Sequence, residues 1–268
     1  MTPSSPAHAN RSDVVRQVAV VAATCLMIAA AMVGAGLFGG TPVQDLQGGA
    51  LDVDGSYLAP ARPAFSIWSA IYIGLVAYAA WQALPQQRAD VRQRAMGWWV
   101  AASEVLNGLW LLAAQFADLP TTVAVIFALA GVLALAFHRA VRTAREGLLP
   151  ALLIDGVTGL HLGWVTIAAV ANTAAWLTRT APEEWADAAA VAGVVALAVI
   201  AIIAVGIGWR GRGRLAPALA LAWGLSWLAV ARLSGEPAST AIGVTAAAVA
   251  VIALGATLAF RFSRRAAS

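Results

Sequence analysis

The sequence predicts an all-α integral membrane protein with eight transmembrane helices and both termini cytoplasmic. Three observations carry this. Hydrophobic residues make up 61% of the 268 residues and charged residues only 11%, against about 25% charged in a soluble chain. A soluble fold of this size has no interior large enough to hide that much apolar surface. Eight apolar runs each approach the roughly 20 residues that a helix needs to cross a bilayer. The connections between them alternate between basic and acidic.

The runs lie at residues 16–38, 64–84, 95–116, 120–142, 150–178, 187–209, 215–232 and 238–260. The polar residues before them, 1–15, read as a disordered tail. The first run follows Arg11 and Arg16 and is longer than the roughly 7–15 apolar residues of a signal peptide, so it reads as a span. The only long loop, 39–63, precedes the second run and carries Gly, Pro and three Asp. Loops of this length often act as lids. The third run holds Glu104, and the fifth holds Asp155 and His161. The seventh is the shortest and depends most on the charge pattern. The eighth ends in a basic tail, 263–268.

All seventeen basic residues are Arg. Fourteen fall on one set of connections: Arg11, Arg16, Arg88, Arg92, Arg94, Arg139, Arg142, Arg145, Arg210, Arg212, Arg214, Arg261, Arg264 and Arg265. The opposite set holds Arg62, Arg179 and Arg232, with Asp45, Asp52, Asp54, Asp118, Glu183, Glu184, Asp187 and Glu236. This is the positive-inside pattern. It requires all eight spans, and it explains the basic composition without nucleic acid as a partner. The absence of Lys excludes Schiff-base chemistry and a P-loop lysine. A single Cys, Cys25, forms no intrachain disulfide or thiolate cluster.

Ionisable residues inside spans are functional candidates. Glu104 and His161 fall near mid-membrane on helices that run in the same direction, so they are within reach of each other. The plainer alternative is that each caps a polar group on a neighbouring helix. Asp155 lies nearer the cytoplasmic end, with Arg142 or Arg145 as the expected partner. Asp155 and His161 are six residues apart, on different helix faces, and no metal-ligand spacing is present.

Of eleven Trp, Trp98, Trp99, Trp185 and Trp209 sit at span ends, as interfacial belts require. Others form stripes. Trp68 and Tyr72 are one turn apart, Asn107 and Trp110 are at i, i+3, and Trp164, Ala168, Asn172 and Trp176 follow i, i+4 steps. Three helices thus place aromatic and amide groups in one outer half. That is the make-up of a pocket wall or, alternatively, of a stiff packing layer.

These stripes resemble the motifs of the translocator protein / tryptophan-rich sensory protein (TspO/MBR) family. The second run reads Pro63-Ala64-Phe65-Ser66-Ile67-Trp68-Ser69-Ala70-Ile71-Tyr72, closed by Trp81. The third has Leu106-Asn107-Gly108-Leu109-Trp110, and the fifth the Trp164–Trp176 stripe. The likeness covers residues 16–178. In three places the sequence departs from the family: Leu160 and His161 stand where it usually has Pro-Tyr, Phe65 is three residues before Trp68 rather than four, and Gln115-Phe116 replaces a Phe pair.

The resemblance implies a five-helix bundle over 16–178, lidded by its first loop; the last three runs lie outside that five-helix core and read as a three-helix extension over 179–262. The resemblance also implies a flat apolar ligand, such as a tetrapyrrole (porphyrin) or a sterol-like molecule. Trp68, Tyr72, Asn107, Trp110, Trp164, Asn172 and Trp176 would form its site. His161 offers an axial ligand should that tetrapyrrole be haem; no cofactor is otherwise required. In the extension, Ala216, Ala220 and Gly224 form a small-xxx-small stripe suited to close helix contact, beside Trp223 and Trp227.

The function expected is therefore ligand binding or sensing. The alternatives are a small-solute or proton-coupled transporter built on Glu104 and His161, and a membrane enzyme acting on a lipid or pigment. The enzyme has least support, because no nucleophile–base pair, carboxylate pair or metal set is present. Expected partners are the lipid bilayer and a hydrophobic small molecule, with a homodimer left open; the expected location is the bacterial plasma membrane.

Overall fold

The structure is a computed structural model that describes residues 10–144 and 147–266, with side chains to Ser263. The expectations for residues 1–9, Arg145, Arg264 and Arg265 lie outside the described residues. The described chain is helical without strands. Eight long helices are α1 (Arg11–Gly34), α2 (Ile67–Gln82), α3 (Val91–Phe116), α4 (Leu119–Arg142), α5 (Val157–Thr180), α6 (Ala189–Arg210), α7 (Ala216–Ser234) and α8 (Thr240–Ala266).

Seven stretches containing α1, α2, α4, α5, α6, α7 and α8 are long and apolar enough to cross a membrane. The protein is an integral membrane protein on this ground. The exception is α3, for a local reason: Arg92, Gln93, Ser103, Glu104 and Asn107 are all buried on it. It packs between α1 and α4, so these polar groups turn toward neighbouring helices.

Helix α1 begins inside the stretch expected to be a disordered tail. Asn10 Oδ1 accepts from the Asp13 amide at 3.1 Å, and Asp13 Oδ2 accepts from the Asn10 amide at 3.0 Å. This reciprocal cap satisfies two backbone donors that a helix start otherwise leaves open, so the helix extends back to Arg11. Asp90 and Asp118 cap α3 and α4 by one bond each, accepting from Gln93 N and Thr121 N. The entry to α5 is irregular. A short turn, Leu148–Pro150, leads into a π-helical turn, Ala151–Gly156, before the regular helix begins. Such turns displace side chains from the α-helical register and often mark functional sites; Asp155 sits in this one.

The main interfaces run in series: α1 on α3, α3 on α4, α4 on α5, α5 on α7, α7 on α8, and α8 on α6. Helix α2 touches α1 and α5 and closes a ring of the first five helices. A separate apolar core joins α6, α7 and α8 and takes in Ile167 of α5 and Leu58 of the first loop.

The α5/α7 interface is made by small residues. A Cβ on Gly163 would lie 2.2 Å from the Pro217 carbonyl oxygen, and one on Gly159 would lie 2.8 Å from Ala216 Cβ. On the facing stripe, Ala220 meets Gly163, and Gly224 meets Ile167 and Trp164. The expected small-residue stripe is therefore a close helix contact, driven by van der Waals packing where backbones can approach.

Candidate functional site

Helices α2, α3 and α5 point aromatic and amide side chains at one another beneath the first loop. Trp68 of α2 stacks on Tyr72 with ring centres 5.2 Å apart. Its ring meets Trp164 edge-on at 6.1 Å and His161 edge-on at 5.8 Å. Phe65 meets the other side of Trp164, also edge-on, at 5.7 Å. Offset and edge-on arrangements are what the ring quadrupoles favour. Across this layer, Trp110 Nε1 donates to Asn172 Oδ1 at 3.1 Å, and Asn172 Nδ2 donates to the Ala168 carbonyl at 3.1 Å. Asn107 Nδ2 and His161 Nε2 lie 3.4 Å apart.

These residues surround a narrow cavity of about 50 Å3. Trp68, Asn107, Trp110, Trp164 and Asn172 line it, joined by Phe65, by Ile126 and Leu129 of α4, and by Val43, Ala50, Leu51, Ala59 and Pro60 of the loop. Two buried polar atoms of its lining have no hydrogen-bond partner: Asn107 Oδ1 and Trp164 Nε1. Buried polar groups are usually satisfied, so orphans around a cavity mark places where a ligand or water completes the bonding. The volume holds a few waters. Small-molecule pockets usually measure about 300–1,000 Å3, so the closed cavity is too small for a tetrapyrrole.

Five of the seven aromatic and amide residues expected at the site thus line one cavity. Tyr72 stands behind Trp68, and Trp176 is half-buried away from the lining. His161 is fully buried behind Trp68 and Asn107 and does not line the cavity. Its Nε2 lies 3.4 Å from Asn107 Nδ2. Glu104 and His161 have separate partners: Glu104 Oε1 accepts from Thr24 Oγ1 of α1 at 2.9 Å. Among the described residues there is no cluster of three or more His, Cys, Asp or Glu that could hold a metal.

Of the two partners expected for Asp155, Arg145 lies outside the described residues, and two described arginines stand beside Asp155. Its Oδ1 accepts from Arg92 Nη2 at 2.6 Å, and Arg214 Nε lies 3.4 Å from the same oxygen. Arg142 is nearer along the chain but projects from the last turn of α4. The π turn aims Asp155 toward α3 and the α6–α7 connection. Arg92 and Arg214 also donate to the Ala140 carbonyl, at 3.5 and 3.3 Å, so one buried cluster ties α3, α4 and α5 to the α6–α7 connection.

The loop between α1 and α2 forms the roof. Its inner side chains, Val43, Ala50 and Leu51, face the cavity, while Asp45, Asp52 and Asp54 line an open acidic vestibule on its other side with Arg179. Arg62 forms an ion pair with Asp52, and its hydrogen bonds hold the Asp52 carboxyl below the usual carboxylate range. Gly55 is required for the tight turn, because a Cβ there would lie 2.3 Å from the Ala50 carbonyl oxygen.

The sequence reading missed Phe65 and the two α4 residues as lining. Phe65 lay inside the quoted motif. Ile126 and Leu129 look like any apolar pair on a spanning helix, and only packing distinguishes them. No curated protein and no solved structure matches the chain. The sequence model of the family described as TSPO-like protein matches residues 16–259 and so reaches into all eight helices. With most of its length matched, the chain belongs to the TSPO-like protein family.

Proposed function

We propose that this protein binds a flat, largely apolar ligand of the tetrapyrrole or sterol-like class between α2, α3 and α5, in a sensory or carrier role. One observation carries the reading: aromatic faces from these three helices and orphaned polar atoms of α3 and α5 meet around one roofed cavity. Aromatic faces suit a flat ring system, and a few fixed polar atoms orient it. Admission requires the loop to rise, because the closed cavity is too small. On this reading the chain crosses a bacterial plasma membrane eight times, α3 included, with both termini cytoplasmic and the cavity in the outer half. It needs no resident cofactor, and a homodimer stays open.

The test is a titration of the protein in nanodiscs with protoporphyrin IX, followed by Trp quenching and the Soret band. Saturable binding weakened about tenfold by Trp68→Ala or Trp164→Ala, roughly 1.4 kcal/mol, supports the reading. Absence of saturable binding rejects the tetrapyrrole class. Because His161 stands behind the wall, His161→Ala should leave protoporphyrin IX binding within about twofold.

A second reading, proton-coupled transport, is favoured by Glu104. It is fully buried, and its Oε2 has no hydrogen-bond partner. Solute flux in proteoliposomes that is unaffected by Glu104→Gln between about pH 5 and 8 excludes it.

A further inference from the structure

The three arginines on the acid-rich side of the molecule, Arg62, Arg179 and Arg232, all hold the same loop. Arg62 pairs with Asp52. Arg179, at the end of α5, donates to the Gly48 carbonyl at 2.5 Å. Arg232, in the last turn of α7, is 1% exposed. Its Nη2 donates to the Val53 carbonyl at 2.6 Å and its Nη1 to the Ser56 carbonyl at 3.1 Å. The same two nitrogens donate to the carbonyls of Pro237 and Glu236 at 3.0 and 3.2 Å.

A planar guanidinium with several fixed donors suits this task, because it binds two backbone segments at once and holds them at set angles. Two further bonds join the same helix to the end of the loop and to the turn that follows it. Trp223 Nε1 donates to the Ala64 carbonyl at 2.9 Å, and the Ala61 amide donates to the Trp227 carbonyl at 3.2 Å. Helix α7 also backs the cavity wall, since Gly224 lies against Trp164 and Ile167.

We infer that α7 is the clasp of the cavity roof. Arg232 is a positioning residue that keeps the 39–63 loop closed over the site and thereby sets how fast a ligand enters and leaves. The inference rests on the proposed binding site for its functional consequence, but its structural claim is independent of any ligand. The three C-terminal helices then form part of the binding apparatus. A charged group that is buried with only main-chain oxygens to bond costs much to desolvate. Such an arrangement holds when the carbonyls are already in place, so loss of the guanidinium frees the loop.

The experiment labels a single thiol under the roof. Ala50 is fully buried and lines the cavity, so A50C in a C25S background reports loop opening by its rate of maleimide modification in micelles. A253C, at a fully buried position in the α6–α8 core, reports general unfolding.

R232Q is expected to raise the A50C rate about tenfold or more, as loss of about 1.4 kcal/mol of closure would do, and to leave A253C protected. R232K, with three donors in place of the fork, restores part of the protection. W223F, which removes one bond to the segment after the loop, gives a smaller rise and decides the matter if R232Q fails to fold. In parallel, stopped-flow release of protoporphyrin IX should quicken in the same order. A50C protection unchanged in both R232Q and W223F overturns the clasp, as does equal exposure of A50C and A253C in W223F. If the parent protein binds no protoporphyrin IX, the ligand reading fails while the labelling still decides the clasp.

Discussion

Asp155 shows how a single residue gains its role from its neighbours. Its carboxylate is 4% exposed and accepts from Arg92, with Arg214 beside the same oxygen. Removing one partner of a buried ion pair leaves the other charge uncompensated, which typically costs about 3–5 kcal/mol. Asp155→Asn should therefore lower stability by about that amount, read as unfolding in mixed SDS micelles, whereas Arg142→Gln should change it little. Asp52 is a milder case on the roof. The hydrogen bonds from Arg62 lower its pKa below the usual carboxylate range despite partial burial. A carboxyl whose folded pKa is depressed stabilises above its unfolded pKa, about 3.9, and loses that contribution as pH falls through the folded value. The small stability advantage of wild type over Asp52→Asn should be full between about pH 5 and 7 and shrink below about pH 4. Thermal melting of both proteins across that range checks it.

At the scale of helices, glycine positions separate contacts that look alike in the sequence. Gly108 and Gly163 both stand in helix stripes of the quoted motifs or beside them. A Cβ at Gly108 would meet Met27 Cα at 3.5 Å, an ordinary contact, while one at Gly163 would lie 2.2 Å from a backbone oxygen. Gly163→Ala should push α5 from α7 and cost about 1–3 kcal/mol, as overpacking does. Gly108→Ala should be close to neutral or slightly stabilising, since Ala favours a helix interior by up to about 1 kcal/mol. Unfolding midpoints of the two variants test the contrast. Because Trp164 packs against Gly224 one helical step further along, Gly163→Ala should also weaken protoporphyrin IX binding where Gly108→Ala does not.

At the scale of the whole molecule, the prediction concerns topology. With eight crossings the two ends lie on the same side, and with seven they do not. A membrane-impermeant maleimide should modify S12C only in inverted vesicles and D187C only in right-side-out cells, with S263C behaving like S12C, all in a C25S background. S12C and S263C labelling from opposite sides would remove α3 or another helix from the count. The apolar exterior of α6, with Val191, Val195, Val199 and Ile202 all exposed, fits a surface facing lipid.

Composition, run length and the distribution of arginine were enough to place this chain in a membrane as a set of long helices, because a bilayer allows few other solutions. The Trp and Asn stripes were legible too, since helical spacing alone puts Trp164, Ala168 and Asn172 on one face. What the sequence left open was decided by contacts between distant segments. Asp155 finds its partners 63 and 59 residues away in Arg92 and Arg214. Arg232 looked like a minor exception to a charge bias, and only packing shows it bonded to a loop about 180 residues earlier. The cavity needs α2, α3, α4, α5 and a closed loop at once. Local periodicity reports which way a side chain faces on its own helix, but the identity of what it meets depends on how the helices pack and where the loop lies.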